Sequence, residues 1–291
     1  MFNYFLLPLY SKNPLFMKET KKILFVNSEI TPYLPESTIS SVGRYLPQGI
    51  QEGGKEIRSF MPRYGVINER RNQLHEVIRL SGMNIVVNDI DRPLIIKVAS
   101  ISSARMQVYF IDNDDYFHRK FVYANEEGKF FEDNDERAIF FARGVLETVK
   151  KLRWKPDIIH CQGWISHILP LYLKKAYKDD PIFTDCKVVL SLYNEISEET
   201  FAEDINSKVI LPGVKNKDLD ILKPANGINL AKLAIQNSDG IIYGSSELPA
   251  ELDNFIAGSK LPVLPYVNLS DSEYIKEYNQ FYDKILGEDA I

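Results

Sequence analysis

The chain has 291 residues, of which 45% are hydrophobic and 26% charged, enough for one large α/β domain or two small ones. Its formal net charge is −5, with acidic and basic residues interspersed, which argues against sustained binding to nucleic acid or an anionic membrane. The two cysteines, Cys161 and Cys186, give no disulfide framework and no CxxC spacing, which points to a reducing cytoplasm.

The chain opens with MFNYFLLPLYSKNPLF, which is apolar and aromatic but has no basic leading segment and is broken at Pro8 and again at Ser11-Lys12. It is too short to span a bilayer and makes a poor signal peptide. Residues 1–20 are therefore expected to be a disordered leader, or one upstream of a true start at Met17; the alternative is a membrane or export role.

Apolar runs suited to buried parallel strands then recur: KILFVN (22–27), EIRSFM (56–61), PLIIKVASI (93–101), MQVYFI (106–111), DIIHC (157–161), KVVLSL (187–192) and GIIYG (240–244). Helical stripes lie between several of them. Ile39, Val42, Leu46 and Ile50 share one helix face before Gly53-Gly54 stops it. Ile139, Ala142, Leu146, Val149 and Leu152 repeat that pattern up to Pro156, and Trp164, Ile168, Leu171 and Tyr172 form a third stripe. This alternation predicts an α/β fold with a doubly wound, mostly parallel sheet. Residues 198–224 mix Pro, Gly, Asn and charge, and read as an irregular excursion. Ser270 and Glu273 have the spacing of a capping box, opening a last helix whose face carries Tyr274, Tyr278, Phe281, Tyr282 and Ile285.

Several stretches, in order, resemble bacterial glycogen synthases and plant starch synthases. They are KILFVNSEITPY, SVGRYLPQGI with Pro47 inside a helix, EIRSFMPRYG, VYFIDNDDYFHR, FEDNDERAIFFARGVLE, KPDIIHCQGW and GINLAKLAIQNSDGIIYGSSELPAEL, together covering about residues 21 to 256. The resemblance implies the Rossmann-like N-terminal half of a GT-B glycosyltransferase fold. It also implies glucosyl transfer from ADP-glucose to the non-reducing end of an α-1,4-glucan, with retention. In that family the second domain holds most of the donor nucleotide. Residues 21–291 are expected to be a single domain of the first kind, with a C-terminal aromatic helix at about 271–286 corresponding to the family's crossover helix.

Three departures from the family pattern fall at three strand ends. The family's Lys-x-Gly-Gly is here Pro35-Glu36-Ser37-Thr38, which removes the cation and the glycines that meet a diphosphate. Its His-Asp-Trp-His run is Gln162-Gly163-Trp164-Ile165, and its Ile-His-Asn is Leu192-Tyr193-Asn194. With family positions replaced at Pro35, Ile165 and Tyr193, no catalytic residue is assigned. Ser37 reads as a plain helix N-cap.

Glu29, Arg137, Gln162, Trp164 and Asn194 remain as candidate substrate-binding residues at the C-terminal edge of the sheet. Trp164 either stacks on a pyranose or packs in the core. Arg137 either contacts ligand or joins an ion-pair cluster with Asp133, Asp135 and Glu136. His160, Cys161 and His167 lack a fourth metal ligand, and DNDD (112–115) lacks the glycine and terminal glutamate of a calcium loop, so neither a metal nor a cofactor is expected. Three functions stay open. The first is a glucan-binding or regulatory module without catalysis of its own. The second is a glucosyltransferase completed by a separate donor-binding chain, and the third an interaction protein with no carbohydrate role.

Overall fold

A computed structural model describes residues 19–288, so most of the 1–20 leader lies outside the described residues. The strands are β1 (Lys22–Asn27), β2 (Glu56–Pro62), β3 (His75–Glu76), β4 (Met83–Val87), β5 (Ile90–Ile101), β6 (Met106–Asp112), β7 (Ile158–Gln162), β8 (Lys187–Leu192), β9 (Gly240–Tyr243) and β10 (Val263–Leu264). Eight helices accompany them among the described residues: α1 (Thr38–Glu52), α2 (Asp114–Phe117), α3 (Asn134–Leu152), α4 (Leu169–Lys175), α5 (Ile205–Val209), α6 (Gly227–Gln236), α7 (Ala250–Ser259) and α8 (Tyr274–Ile285). The sheet runs β10-β9-β8-β7-β1-β2-β6-β5-β3, with β4 paired to β5.

From β10 to β6 all neighbours are parallel. The chain leaves β1 toward β2 and β6, then returns to lay β7 on the other flank of β1. Ligands of open α/β sheets bind at such a reversal. The run containing 93–101 departs from the expected parallel arrangement. It extends back to Ile90, lies antiparallel to β6 and forms a hairpin with β4. Its hairpin turn is Asn88-Asp89, with φ of 51° and 58°, the left-handed pair that a two-residue hairpin loop requires.

Side chains of β1 alternate between two cores. Ile23 and Phe25 face α1 and α8; Leu24 and Val26 face the larger cluster that includes α3, α4 and α6. The aromatic face of α8 is buried as its spacing predicts, with Tyr274, Tyr278, Phe281 and Tyr282 packed under the sheet. Each such burial stabilises by roughly 2 kcal/mol. The expected capping box at its start does not form. Asn268 and Asp271 instead accept the backbone N–H groups of Ser270 and Glu273, while the Glu273 carboxylate pairs with Lys276. The third stripe splits into a 3₁₀ turn over Trp164–Ser166 and then α4, which has proline in its first turn. The 198–224 excursion contains only α5 and a 3₁₀ segment over Asn216–Leu222.

Candidate functional site

The site forms where β1, β7 and β8 end. Asn27 and Gln162 are register partners, and Gln162 pairs in turn with Ser191, so one row crosses three strands. Beyond that row the backbone crowds. Gly163 has φ +83°, and a β-carbon there would lie 1.8 Å from Ser28 Oγ and 3.4 Å from Glu195 Oε1. Only glycine fits. The close approach brings the segment after β8 against the segment after β1.

Glu29 and Glu195 are the carboxyl groups of this junction, both half-buried. Glu195 Oε2 accepts the Trp164 backbone N–H at 3.0 Å. Burial first, and then the neighbouring Glu29, pushes the Glu195 carboxyl up to about 8, although the Trp164 N–H favours its charged form. Burial also raises Glu29, opposed by hydrogen bonds from Ser37 and Tyr123. The Ser37 hydroxyl donates to Glu29 Oε2 at 3.1 Å, and the Tyr64 hydroxyl donates to that of Tyr123 at 3.1 Å. The result is a relay of hydroxyls ending on a carboxylate.

The head of α1, where an anion would otherwise sit, is occupied from within. Ser37 Oγ accepts the Ser40 N–H at 3.0 Å, and Ser40 Oγ accepts the Ser37 N–H at 2.8 Å. This reciprocal box consumes two of the donors that a phosphate would use. The exposed Pro35 and Glu36 stand just before it.

The five sequence-derived residues separate. Glu29, Gln162, Trp164 and Asn194 share the C-terminal edge. Gln162 is fully buried, with its Oε1 3.4 Å from the Tyr193 hydroxyl and no acceptor for its Nε2. Trp164 is fully buried too, its ring enclosed by Tyr123, Phe130 and Phe201 at centroid distances of 5.2, 5.4 and 6.0 Å. A pyranose therefore has no open indole face; Tyr123, edge-on to Trp164, is the more exposed ring. Asn194 is exposed, and its Oδ1 accepts from Ser197 Oγ at 3.3 Å.

Arg137 stands apart. It is fully buried and donates to the carbonyls of Tyr116 (2.8 Å) and Val122 (2.7 Å) and to Asn134 Oδ1 (2.5 Å). Nor does it join an ion-pair cluster. Asp133 pairs with Arg119, whereas Asp135 and Glu136 pair with Lys208. Arg137 thus staples the 116–134 segment that carries Tyr123.

Ile165 lies in the core, and Tyr193 packs its buried ring within 2.8 Å of where a Gly244 β-carbon would stand. His160 is bridged by Tyr282 and Ser191, each at 2.7 Å, and burial holds its imidazole down to about 3. His167 is likewise buried and held neutral. Among the described residues no cluster of three or more metal-ligating side chains occurs, and no helix is long and apolar enough to cross a membrane.

Sequence reasoning missed Glu195 and Tyr123. Glu195 carried a usable signal: like Glu29, it is a carboxylate just past the end of a central parallel strand.

The fold and the edge-on crevice are those of a Rossmann-like domain of the GT-B glycosyltransferase architecture. The sequence profile of the starch synthase catalytic domain matches residues 22–262, and the chain belongs to that family. Among its relatives, glycogen synthase of Chlorobium luteolum is 31% identical over 91% of this chain and 55% of its own length. Glycogen synthase of Chlorobium limicola is 34% identical over 79% of this chain and 46% of its own. The chain thus spans about half the length of the curated relatives it matches. Among solved structures, the catalytic domain of starch synthase IV from Arabidopsis thaliana, bound to ADP and acarbose, superposes with a TM-score of 0.65. That match has 16% identity and covers 84% of this chain and 51% of the other.

Proposed function

We propose that this chain is a glucan-binding or regulatory member of the glycogen and starch synthase family, acting in the cytoplasm without glucosyl transfer of its own. Its ligand is a neutral α-glucan or oligosaccharide held at the β1–β7–β8 edge. The observation that carries this reading is the bond from Ser37 to Glu29 across a self-capped α1, which turns the family's anion cradle into a carboxylate-lined cleft. A diphosphate meets negative charge there and no lysine. Sugar hydroxyls instead find the Glu29 carboxylate, the Glu195 carboxyl, the Tyr123 hydroxyl and the exposed Asn194 amide.

Room for a chain adds support. A groove of about 530 Å³, lined by Phe130, Phe131, Glu132, Glu199 and Phe201, begins among the aromatic neighbours of Trp164. An aromatic floor with carboxylates at its rim suits a polyol with apolar ring faces. Catalysis is absent from the reading because Ile165 and Tyr193 offer no imidazole at the two strand ends where the family places one.

Calorimetric titration of the purified chain with maltoheptaose, and separately with ADP-glucose, tests the proposal. Heat with maltoheptaose alone is the expected result. Binding of ADP-glucose would overturn it and favour a transferase completed by a second, donor-binding chain. No heat with either ligand would leave a protein-interaction role.

A further inference from the structure

The opposite edge of the sheet carries a second polar groove, of about 410 Å³, where β2 begins and the β5–β6 hairpin turns. Its charge is the reverse of that in the cleft. Two guanidinium groups, Arg58 and Arg105, line it against one carboxylate, Glu56, which accepts the Trp154 indole N–H at 2.5 Å. Among the described residues neither arginine makes an ion pair, which sets them apart from Arg63, Arg92 and Arg119.

Arg58 is held ready for a ligand. Its guanidinium lies over the rings of Trp154 (5.2 Å) and Tyr109 (5.6 Å), and its Nη1 donates to Tyr109 Oη at 2.6 Å. Its Nε is covered yet has no acceptor. Stacking fixes the plane of the fork, so less side-chain entropy is lost when an anion docks. Arg105 sits at the hairpin corner with φ +50°, and Gln51 donates to its carbonyl at 3.5 Å. Ser100, Ser102 and Gln107 complete the wall with neutral donors. Arg58 is carried by β2 and Arg105 by the tight turn between β5 and β6.

The geometry points to a binding site for the phosphate group of a small phosphorylated polyol, gripped by Arg58 and Arg105, with the serine and glutamine side chains meeting the hydroxyls. Guanidinium forks match phosphate oxygens in charge and spacing, and the site is independent of the carboxylate cleft.

Nitrogen-15 NMR of the full chain, titrated at low salt with inorganic phosphate and then with glucose 1-phosphate, tests it. The Arg58 Nε–H signal and the backbone amides of Ser102 and Gln107 should move saturably with both probes, with glucose 1-phosphate binding the more tightly. Arg105→Gln changes an exposed side chain, so the melting temperature should hold while affinity falls about tenfold; Arg58→Gln should fall at least as far. Shifts absent up to about 10 mM phosphate, weak on the affinity scale for specific ligands, overturn the site. So do shifts centred elsewhere, an Arg105→Gln titration that matches the parent, or glucose 1-phosphate binding no tighter than phosphate.

Discussion

The two ends of the parallel strands treat charge in opposite ways. At the C-terminal edge, Glu29 and Glu195 lie half-buried beside each other, and the head of α1 is capped by its own serines. At the N-terminal edge, Arg58 and Arg105 line a groove without carboxylate partners among the described residues. Open α/β sheets ordinarily offer anions the first edge, through helix N-termini and glycine-rich turns. In the function proposed above, a handful of side chains reverses that preference while the backbone keeps its form. Fold and ligand polarity are therefore separable. On that proposal the scaffold sets where a site lies, and four or five residues decide what it takes.

The largest effect is expected from Arg137, which belongs to neither edge. Replacing it with alanine leaves two backbone carbonyls and Asn134 Oδ1 buried without a donor. At about 1–3 kcal/mol for each orphaned group, the total loss exceeds about 3 kcal/mol. Denaturant unfolding should show this loss, with glucan affinity of the still-folded fraction changing little. A ligand contact would behave differently: stability preserved, affinity lost. That pattern would return Arg137 to the binding residues and blur the contrast between scaffold and site.

Glu195→Gln acts on the cleft alone. The folded-state carboxyl is raised to about 8 by burial and by Glu29, so the folded chain holds a proton that the unfolded chain releases above about 4.5, near the ordinary glutamate value. Its contribution to stability is complete below that point and is lost as pH rises through about 8. The glutamine keeps an oxygen for the Trp164 N–H but never ionises. The variant should therefore match the parent near pH 4.5 and exceed it at pH 9 by about 2 kcal/mol, the full linkage value discounted for partial solvation. Parallel pH–stability curves for the two proteins would mean that Glu195 is solvated and that the acidic edge is only an exposed rim.

Much of this arrangement was legible beforehand, for reasons that also explain the misses. Parallel strands buried on both faces are continuous apolar runs, so β1, β2, β6, β7, β8 and β9 stand out. Direction leaves no such mark, and PLIIKVASI reads the same whether parallel or antiparallel. The turn pair Asn88-Asp89, with Ile85 and Val87 alternating before it, was the available sign of the β4–β5 hairpin. At α8 the box pattern was outcompeted by Asn268 and Asp271, whose side chains accept the same amides two residues on. The pairing of Glu29 with Glu195 is tertiary. Nothing local in YNE states that Gly163 lets two strand ends close up, burying Glu195 and setting Glu29 beside it.

The smallest expected effect concerns Ser37, and it asks whether the closed helix head maintains the reversal. Ser37→Ala removes an N-cap and the hydroxyl donated to Glu29, costing about 1 kcal/mol in thermal unfolding. It also frees the Ser40 N–H and one lone pair of Glu29. If the cap is what keeps anions away, phosphate should begin to perturb the amides of residues 38–40 in the variant, while the Arg58 groove titrates as before. If the cap is incidental, Glu29 still repels the anion and residues 38–40 stay silent. The exclusion then rests on the carboxylate, and adding Glu29→Gln to Ser37→Ala should bring the helix head into play. Whichever group proves responsible, the N-terminal groove should be indifferent to both changes, since it shares no residue with the cleft.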